Sequence, residues 1–205
     1  MTGSHDARER LITAAERLLT RSGPRAVSMD AAAATAGAGK MSAYRHFASR
    51  DDLMAAALEH HHPRHLRWLV GDGGDAGSGR AAGSGRAGSS ADEPSGRILA
   101  VFDRLESAAG SEPFRGCPFV DAALGTGDYA GAIAWQHKQE VARALAGLAV
   151  QAGLAEPEEV GAAVALIIDG AAVQAALAPD RASRQRIIRR GRRAAQALLA
   201  SAARP

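Results

Sequence analysis

The sequence predicts an all-α protein, and three observations lead there. Apolar residues make up 46% of the 205 positions while aromatics make up only 4%, so alanine, the strongest helix former, supplies much of the apolar count. Runs of Val, Ile and Thr that would favour strands are scarce. Apolar residues recur at three- and four-residue spacing in one segment after another. A chain of this length can bury a core without metal or disulfide staples, and the single Cys117 has no intrachain partner for a disulfide. The N-terminus lacks the apolar core of a signal peptide and no run approaches the ~20 apolar residues that cross a bilayer, so a cytoplasmic protein is expected. The formal charge is only +3, but residues 1–50 carry eight lysines and arginines against four acids, so positive charge leans toward the N-terminal end.

The first helix is predicted over Arg8 to Ser22, where Leu11, Ile12, Ala15, Leu18 and Leu19 share one face before Gly23-Pro24 stops it. Ser28 is placed to cap a second, short helix, and Gly37 stands where a tight exit is needed. Lys40 to Phe47 fits a third short helix, and Asp51 to about Trp68 a longer fourth one entered through Ser49. Gly71 to Gly96 is dominated by Gly, Ser and Ala, with GSGRA at both 77–81 and 83–87. Such a composition buries too little apolar surface to order itself and reads as a flexible loop; the competing reading is a basic arm that grips phosphates through Arg80 and Arg86. From Ser95 the chain is helical again, with Ile98, Val101, Phe102 and Leu105 on one face, before an irregular stretch, SEPFRGCPFVDAALGTGD. Long helices follow over about Tyr129 to Gln151, Pro157 to Leu177 and Ala182 to about Ala202. The last two carry broad stripes, Val164, Ile167, Ile168 and Ala171 on one and Ile187, Ala195, Leu198 and Leu199 on the other, suited to a four-helix interface with a twofold mate.

Two short helices joined by a glycine-containing turn, the second bearing Lys, Ser, Tyr, Arg and His, have the layout of a helix-turn-helix whose second helix enters the major groove. Ala14–Gly23 followed by AVSMDAAAATAGAGKMSAYRHFASRDDL resembles the DNA-binding region of TetR/AcrR-type transcriptional regulators, over about residues 8 to 60. A looser resemblance to the ligand-binding domain of some of these regulators runs through FRGCPFVDAAL and AGLAEPEEVGAAVALIIDGAAVQAAL. The resemblance implies that Ser28 bonds a phosphate while capping its helix, that Lys40, Met41, Ser42 and Arg45 face base edges or nearby backbone, and that Tyr44, His46 and Arg50 hold phosphates. The residue types suit those tasks, since Arg and Lys read guanine and hydroxyl, phenol and imidazole groups anchor backbone. Phe47 is expected beneath the helix as a core plug. The sequence departs from the family pattern at Ala33, where a larger aliphatic is usual, and at Ala38-Gly39, where a hydroxyl residue commonly caps the reading helix.

Other chemistry is weaker. His60, His61, His62 and His65 stand close together in HHHPRH, and histidine is a common metal ligand. Pro63 between them is expected to disturb the helix, and no cysteine or carboxylate completes a site nearby, so a polar helix end is the default reading and no metal is assigned. Cys117 reads as a buried structural thiol rather than a nucleophile, and His137 as a core group on an apolar stripe, with Trp135 opposite. If the C-terminal domain encloses an effector, Phe102, Cys117, Phe119, His137 and Asp169 are the residues expected to line its cavity. The arginines at 181, 184, 186, 189, 190, 192 and 193 read as the solvated face of a dimerisation helix.

The expectation is therefore a homodimeric regulator with a three-helix DNA-binding domain over residues 1–50 and a helical effector-binding and dimerisation domain over 51–205. It would act as a ligand-responsive repressor on a palindromic operator of double-stranded DNA, with no cofactor. Two rivals are a dimeric DNA-binding regulator that senses nothing and a small helical enzyme built on His137, Asp169 or Cys117. The enzyme lacks a nucleophile, base and orienting group at recognisable spacing.

Overall fold

The computed structural model describes residues 2–71, 94–126 and 128–203. Among these residues every regular element is a helix: α1 (Thr2–Ser22), a 3₁₀ turn (Pro24–Ala26), α2 (Met29–Ala36), α3 (Lys40–His46), α4 (Arg50–Val70), α5 (Pro94–Ala109), α6 (Pro118–Thr126), α7 (Asp128–Gln151), α8 (Pro157–Leu177) and α9 (Arg181–Ala202). The all-α fold expected from composition and periodicity is the one found. Residues 72–93 of the Gly/Ser-rich segment, with Arg80 and Arg86, lie outside the described residues, and Pro94 already opens α5.

The chain packs as two compact units. The first joins Met1–His65 to Arg115–His137; the second joins Leu66–Phe114 to Lys138–Pro205. In the first unit α1 buries Leu11, Ile12, Ala15 and Leu19, the stripe its periodicity predicts, against Val27 before α2, Met29, Ala32 and Ala33 of α2, Ala43 of α3 and Phe47 just after it, and Leu53, Met54, Ala57 and Leu58 of α4. Gly23 ends α1 at φ 85°, a left-handed region that favours glycine, and donates its N–H to the Leu19 carbonyl at 2.9 Å. One expectation is corrected here: the stretch read as irregular contains α6, which delivers Phe119 and Ala122 to this core, both fully buried. Nine residues with Pro at the first position and two buried side chains give too short a periodic signal to read from sequence.

Pro63 is also not a break. α4 runs through it without interruption. The ring removes the N–H that would bond the Glu59 carbonyl, but both residues are exposed, so that carbonyl stands on the solvent side of the helix.

In the second unit Ile98, Val101, Phe102 and Leu105 of α5 meet Val160, Val164, Ile168 and Ala171 of α8 and Ile188, Ala195 and Leu199 of α9. Two arginines of α9 reach acids of α5, Arg192 to Asp103 at 3.0 Å and Arg189 to Glu106, and a third, Arg184, reaches Glu112 just past the end of α5, so part of the arginine row is interhelical pairing. Asp180 caps α9 by accepting from the Ser183 N–H at 2.8 Å. The Ala155 N–H donates to the Ala202 carbonyl at 2.8 Å, fastening the end of α9 beside the start of α8.

The stripes of α8 and α9 are taken up largely but not wholly by the core, with Ile167, Ile187 and Leu198 half-buried against it. Val164, Ile168, Ala171, Ala195 and Leu199 are buried within one protomer. The apolar surplus of α8 lies on another face, Leu166, Val173 and Leu177, of which Leu166 and Leu177 are 74% and 81% exposed. α8 is also long and apolar enough, by composition alone, to cross a membrane, which the sequence reading did not credit; the buried half of it is core packing.

Candidate nucleic-acid interface

The helix-turn-helix begins at Ser28, whose extended backbone leaves its hydroxyl free to accept from the Ala31 N–H at 3.1 Å. α2 ends at Gly37, held at φ 61° and ψ 35°, with its N–H on the Ala34 carbonyl at 3.2 Å and the following Ala38 N–H on Ala33 at 2.9 Å. A Cβ at Gly37 would meet no atom within 4 Å, so glycine is favoured there by its dihedral and not by space.

Gly39 caps α3 without a side-chain bond, its carbonyl accepting from the Ser42 and Ala43 N–H groups. A seven-residue helix is not stable by itself. It is held by Ala43 and Phe47, four residues apart and both buried, with the Arg8 guanidinium 5.3 Å above the Phe47 ring. Lys40, Met41, Tyr44 and Arg45 occupy the opposite face and are exposed, Met41 by 76% and Tyr44 by 48%; Ser42 and His46 flank them half-buried. The face is thus cationic at both ends, with an unbranched apolar chain and a phenol between. It offers guanidinium and ammonium donors for base edges or phosphates, a hydroxyl and an imidazole for backbone, and an apolar surface for a thymine methyl.

Two relationships here had no signal in the sequence. The Lys40 ammonium sits 3.0 Å from the Asp30 carboxylate, tying the first turn of α3 to the first turn of α2, and that hydrogen bond, with the charge behind it, raises the Lys40 pKa. Arg50 does not simply stand free beside the reading helix: its Nε donates to the Val27 carbonyl at 2.7 Å and its Nη2 to the Pro24 carbonyl at 2.6 Å.

Away from this face, Glu16 of α1 gathers three groups of α4: His60 Nδ1 at 2.8 Å, His61 Nδ1 at 2.9 Å, and the Arg64 guanidinium. Two carboxylates of α1 meet these histidines: Glu16, 44 residues before His60, and Glu9, whose carboxylate lies 3.1 Å from His60 Nε2. Burial opposes the Glu16 charge, but the hydrogen bonds from His61 and His60 and the nearby positive charges outweigh it, and the carboxyl pKa is lowered. At His61 burial wins over the same carboxylate, and the imidazole pKa is also lowered. Among the described residues no group of three or more His, Cys, Asp and Glu side chains is arranged to hold a metal ion.

The residues named for an effector are distributed between the two units. Phe119 stacks on His137, ring centroids 3.8 Å apart and 12° from parallel, and His137 Nδ1 meets His62 Nδ1 at 2.9 Å; both Phe119 and His137 are fully buried. Cys117 is buried in the same unit. Phe102 belongs to the core of the second unit, and Asp169 there pairs with Lys138.

Residues 11–57 match the family model described as bacterial regulatory proteins, tetR family. Among solved structures the chain is similar to a protein of Streptomyces avermitilis assigned as a TetR-type transcriptional regulator, at 28% identity with a TM-score of 0.74, covering 96% of this chain and 97% of that one. It is similar in fold to a TetR-family transcriptional regulator of Streptomyces coelicolor, at 24% identity and TM-score 0.74 over 98% and 97% of the two chains. A regulatory protein TetR of Rhodobacter sphaeroides aligns at 22% identity and TM-score 0.68 over 91% and 97%. No curated protein matches the sequence.

Proposed function

This chain is a TetR-family transcriptional regulator, and on that premise we propose that it is a repressor that binds a near-palindromic operator as a homodimer and releases it to a small-molecule effector. The observation that carries the reading is the exposed face of α3, where Lys40, Met41, Tyr44 and Arg45 point outward from a helix fixed by Ala43 and Phe47. Lys40, Met41, Ser42 and Arg45 read base edges or the backbone beside them; Ser28, Tyr44 and His46 hold phosphates.

A single reading helix covers too few bases for tight specific binding, so a second copy is required at a half-site about one helical turn, or a multiple, away. The exposed apolar stripe of α8, Leu166, Val173 and Leu177, is the surface assigned to that copy. An effector that prefers the conformation whose two reading helices are wrongly spaced lowers operator affinity by the ratio of its affinities for the two states. Of the five residues named for it, Phe119 and His137 lie together in one unit and are the contacts assigned here, with Cys117 in the same unit. No covalent chemistry is needed.

Selection of bound duplexes from random DNA by the full-length protein tests the central reading. A short inverted repeat is expected, and its affinity should fall at least tenfold in Arg45→Ala. Recovery of no preferred sequence would overturn it.

A further inference from the structure

We infer that Arg50 is a positioning residue for the reading helix and not one of its phosphate contacts, an inference that rests on the DNA-binding reading above. Val27 immediately precedes the Ser28 cap, and its carbonyl lies outside the α2 ladder, which begins with the Ala32 N–H on the Ser28 carbonyl at 2.9 Å. An acceptor so placed beside a fully buried side chain needs a donor. Arg50, the first residue of α4, supplies it through Nε at 2.7 Å, and the same guanidinium reaches the Pro24 carbonyl through Nη2 at 2.6 Å. Its Nη1 lies 3.4 Å from the Asp51 carboxylate, a weaker contact.

One planar group therefore spans the connection between α1 and α2 from the N-terminus of α4, closing a bracket of 26 residues around the whole helix-turn-helix. Charge-assisted bonds to carbonyls are among the stronger ones available, and only a rigid fork reaches two acceptors at once; the single ammonium of lysine cannot reproduce it. The consequence is angular. With the start of α2 tied to the start of α4, both ends of the α2–α3 pair are fixed, and the exposed face of α3 keeps one orientation.

The test uses the full-length protein with Arg50→Lys and Arg50→Ala, titrated by fluorescence anisotropy against two duplexes: the one that the unmodified protein selects from random DNA, and a scrambled duplex of the same composition. Positioning predicts that both variants lose about tenfold or more on the selected duplex, lose little on the scrambled one, and keep the salt slope of the parent. If Arg50 instead holds a phosphate, Arg50→Lys stays close to the parent, while Arg50→Ala weakens both duplexes together and flattens the slope by about 0.9; that result overturns the inference. So does a fall in melting temperature with both affinities unchanged below it, which a merely structural role would give. Should Arg50→Ala fail to fold, Arg50→Lys alone separates the outcomes, because it keeps the charge and removes the fork. Failure of the unmodified protein to prefer any duplex would refute the DNA-binding reading itself, a result distinct from all of these.

Discussion

A Cβ placed on Gly161 of α8 would stand 2.6 Å from the Ala142 carbonyl oxygen of α7. The same atom would lie 2.6 Å from the Ala146 nitrogen and 2.9 Å from its Cα. These neighbours are backbone and cannot rotate away. Gly→Ala in a helix interior ordinarily gains up to about 1 kcal/mol; at Gly161 overpacking reverses the sign, and a loss of about 1–3 kcal/mol is expected. Gly147 of α7, exposed and with nothing within 4 Å of its Cβ position, is the control. Thermal melts should fall for Gly161→Ala and hold or rise for Gly147→Ala; the same response at both sites would refute the close approach.

Gly39 has φ −71° and ψ 148° and open space at its Cβ, so a serine fits without strain. The added hydroxyl would accept from an N–H of the first turn of α3, as Ser28 does for α2. A gain of a few tenths to about 1 kcal/mol is expected, seen as a higher denaturation midpoint at unchanged m-value. Gly39→Ala, which adds the Cβ but no acceptor, should show no such gain.

Acid should destabilise the protein in two stages. His61 has a folded pKa below its usual 6.5 because it is buried. As pH falls from 6.5 the unfolded chain gains this proton first, and stability drops until the folded pKa is passed. Glu16 has a folded pKa below its usual 4.5, so the stability it contributes is complete above 4.5 and is lost as pH falls through the folded value. Urea titrations across pH 3–8 should show the upper stage weakened in His61→Gln and the lower one in Glu16→Gln. Parallel profiles for all three proteins would contradict this assignment. Glu16→Gln also weakens bonds to three α4 side chains and should cost about 1–3 kcal/mol at neutral pH.

If α8 forms the proposed dimer interface, Leu166→Glu combined with Val173→Glu should give monomers in sedimentation while leaving the melting temperature of the protomer nearly intact, because neither side chain enters its core. Ile168→Asp, at a residue 3% exposed, should unfold the chain instead. A doubly substituted protein that sediments like its parent would remove α8 from the interface.

How far the sequence could be read depended on the range of each interaction. Ser28 and Gly37 announce α2 because a cap and a left-handed exit act within one helical turn. Phe47 was legible as a plug because Ala43 lies four residues before it. Arg50 was legible as basic but not as a clamp, since its acceptors are backbone carbonyls and a carbonyl carries no residue identity. Asp30 and Lys40, ten residues apart, and Glu16 and His60, 44 apart, meet only once the helices have packed. α8 was legible as to its core stripe but not as to its second apolar face: it is apolar on more than one side, and periodicity does not show that Leu166 stays exposed while Ile168 is buried.

The contact between His62 and His137 has a consequence of a different kind. Two Nδ1 atoms 2.9 Å apart form a hydrogen bond only if one carries hydrogen and the other offers a lone pair. When both rings are neutral, two residues of identical constitution must therefore adopt opposite tautomers, and the pair acquires a direction. A replacement that can only donate and one that can only accept should therefore be tolerated unequally at the two positions. A library that exchanges both sites would reveal a handed pattern of survivors, with chemically equal rings behaving as unlike letters.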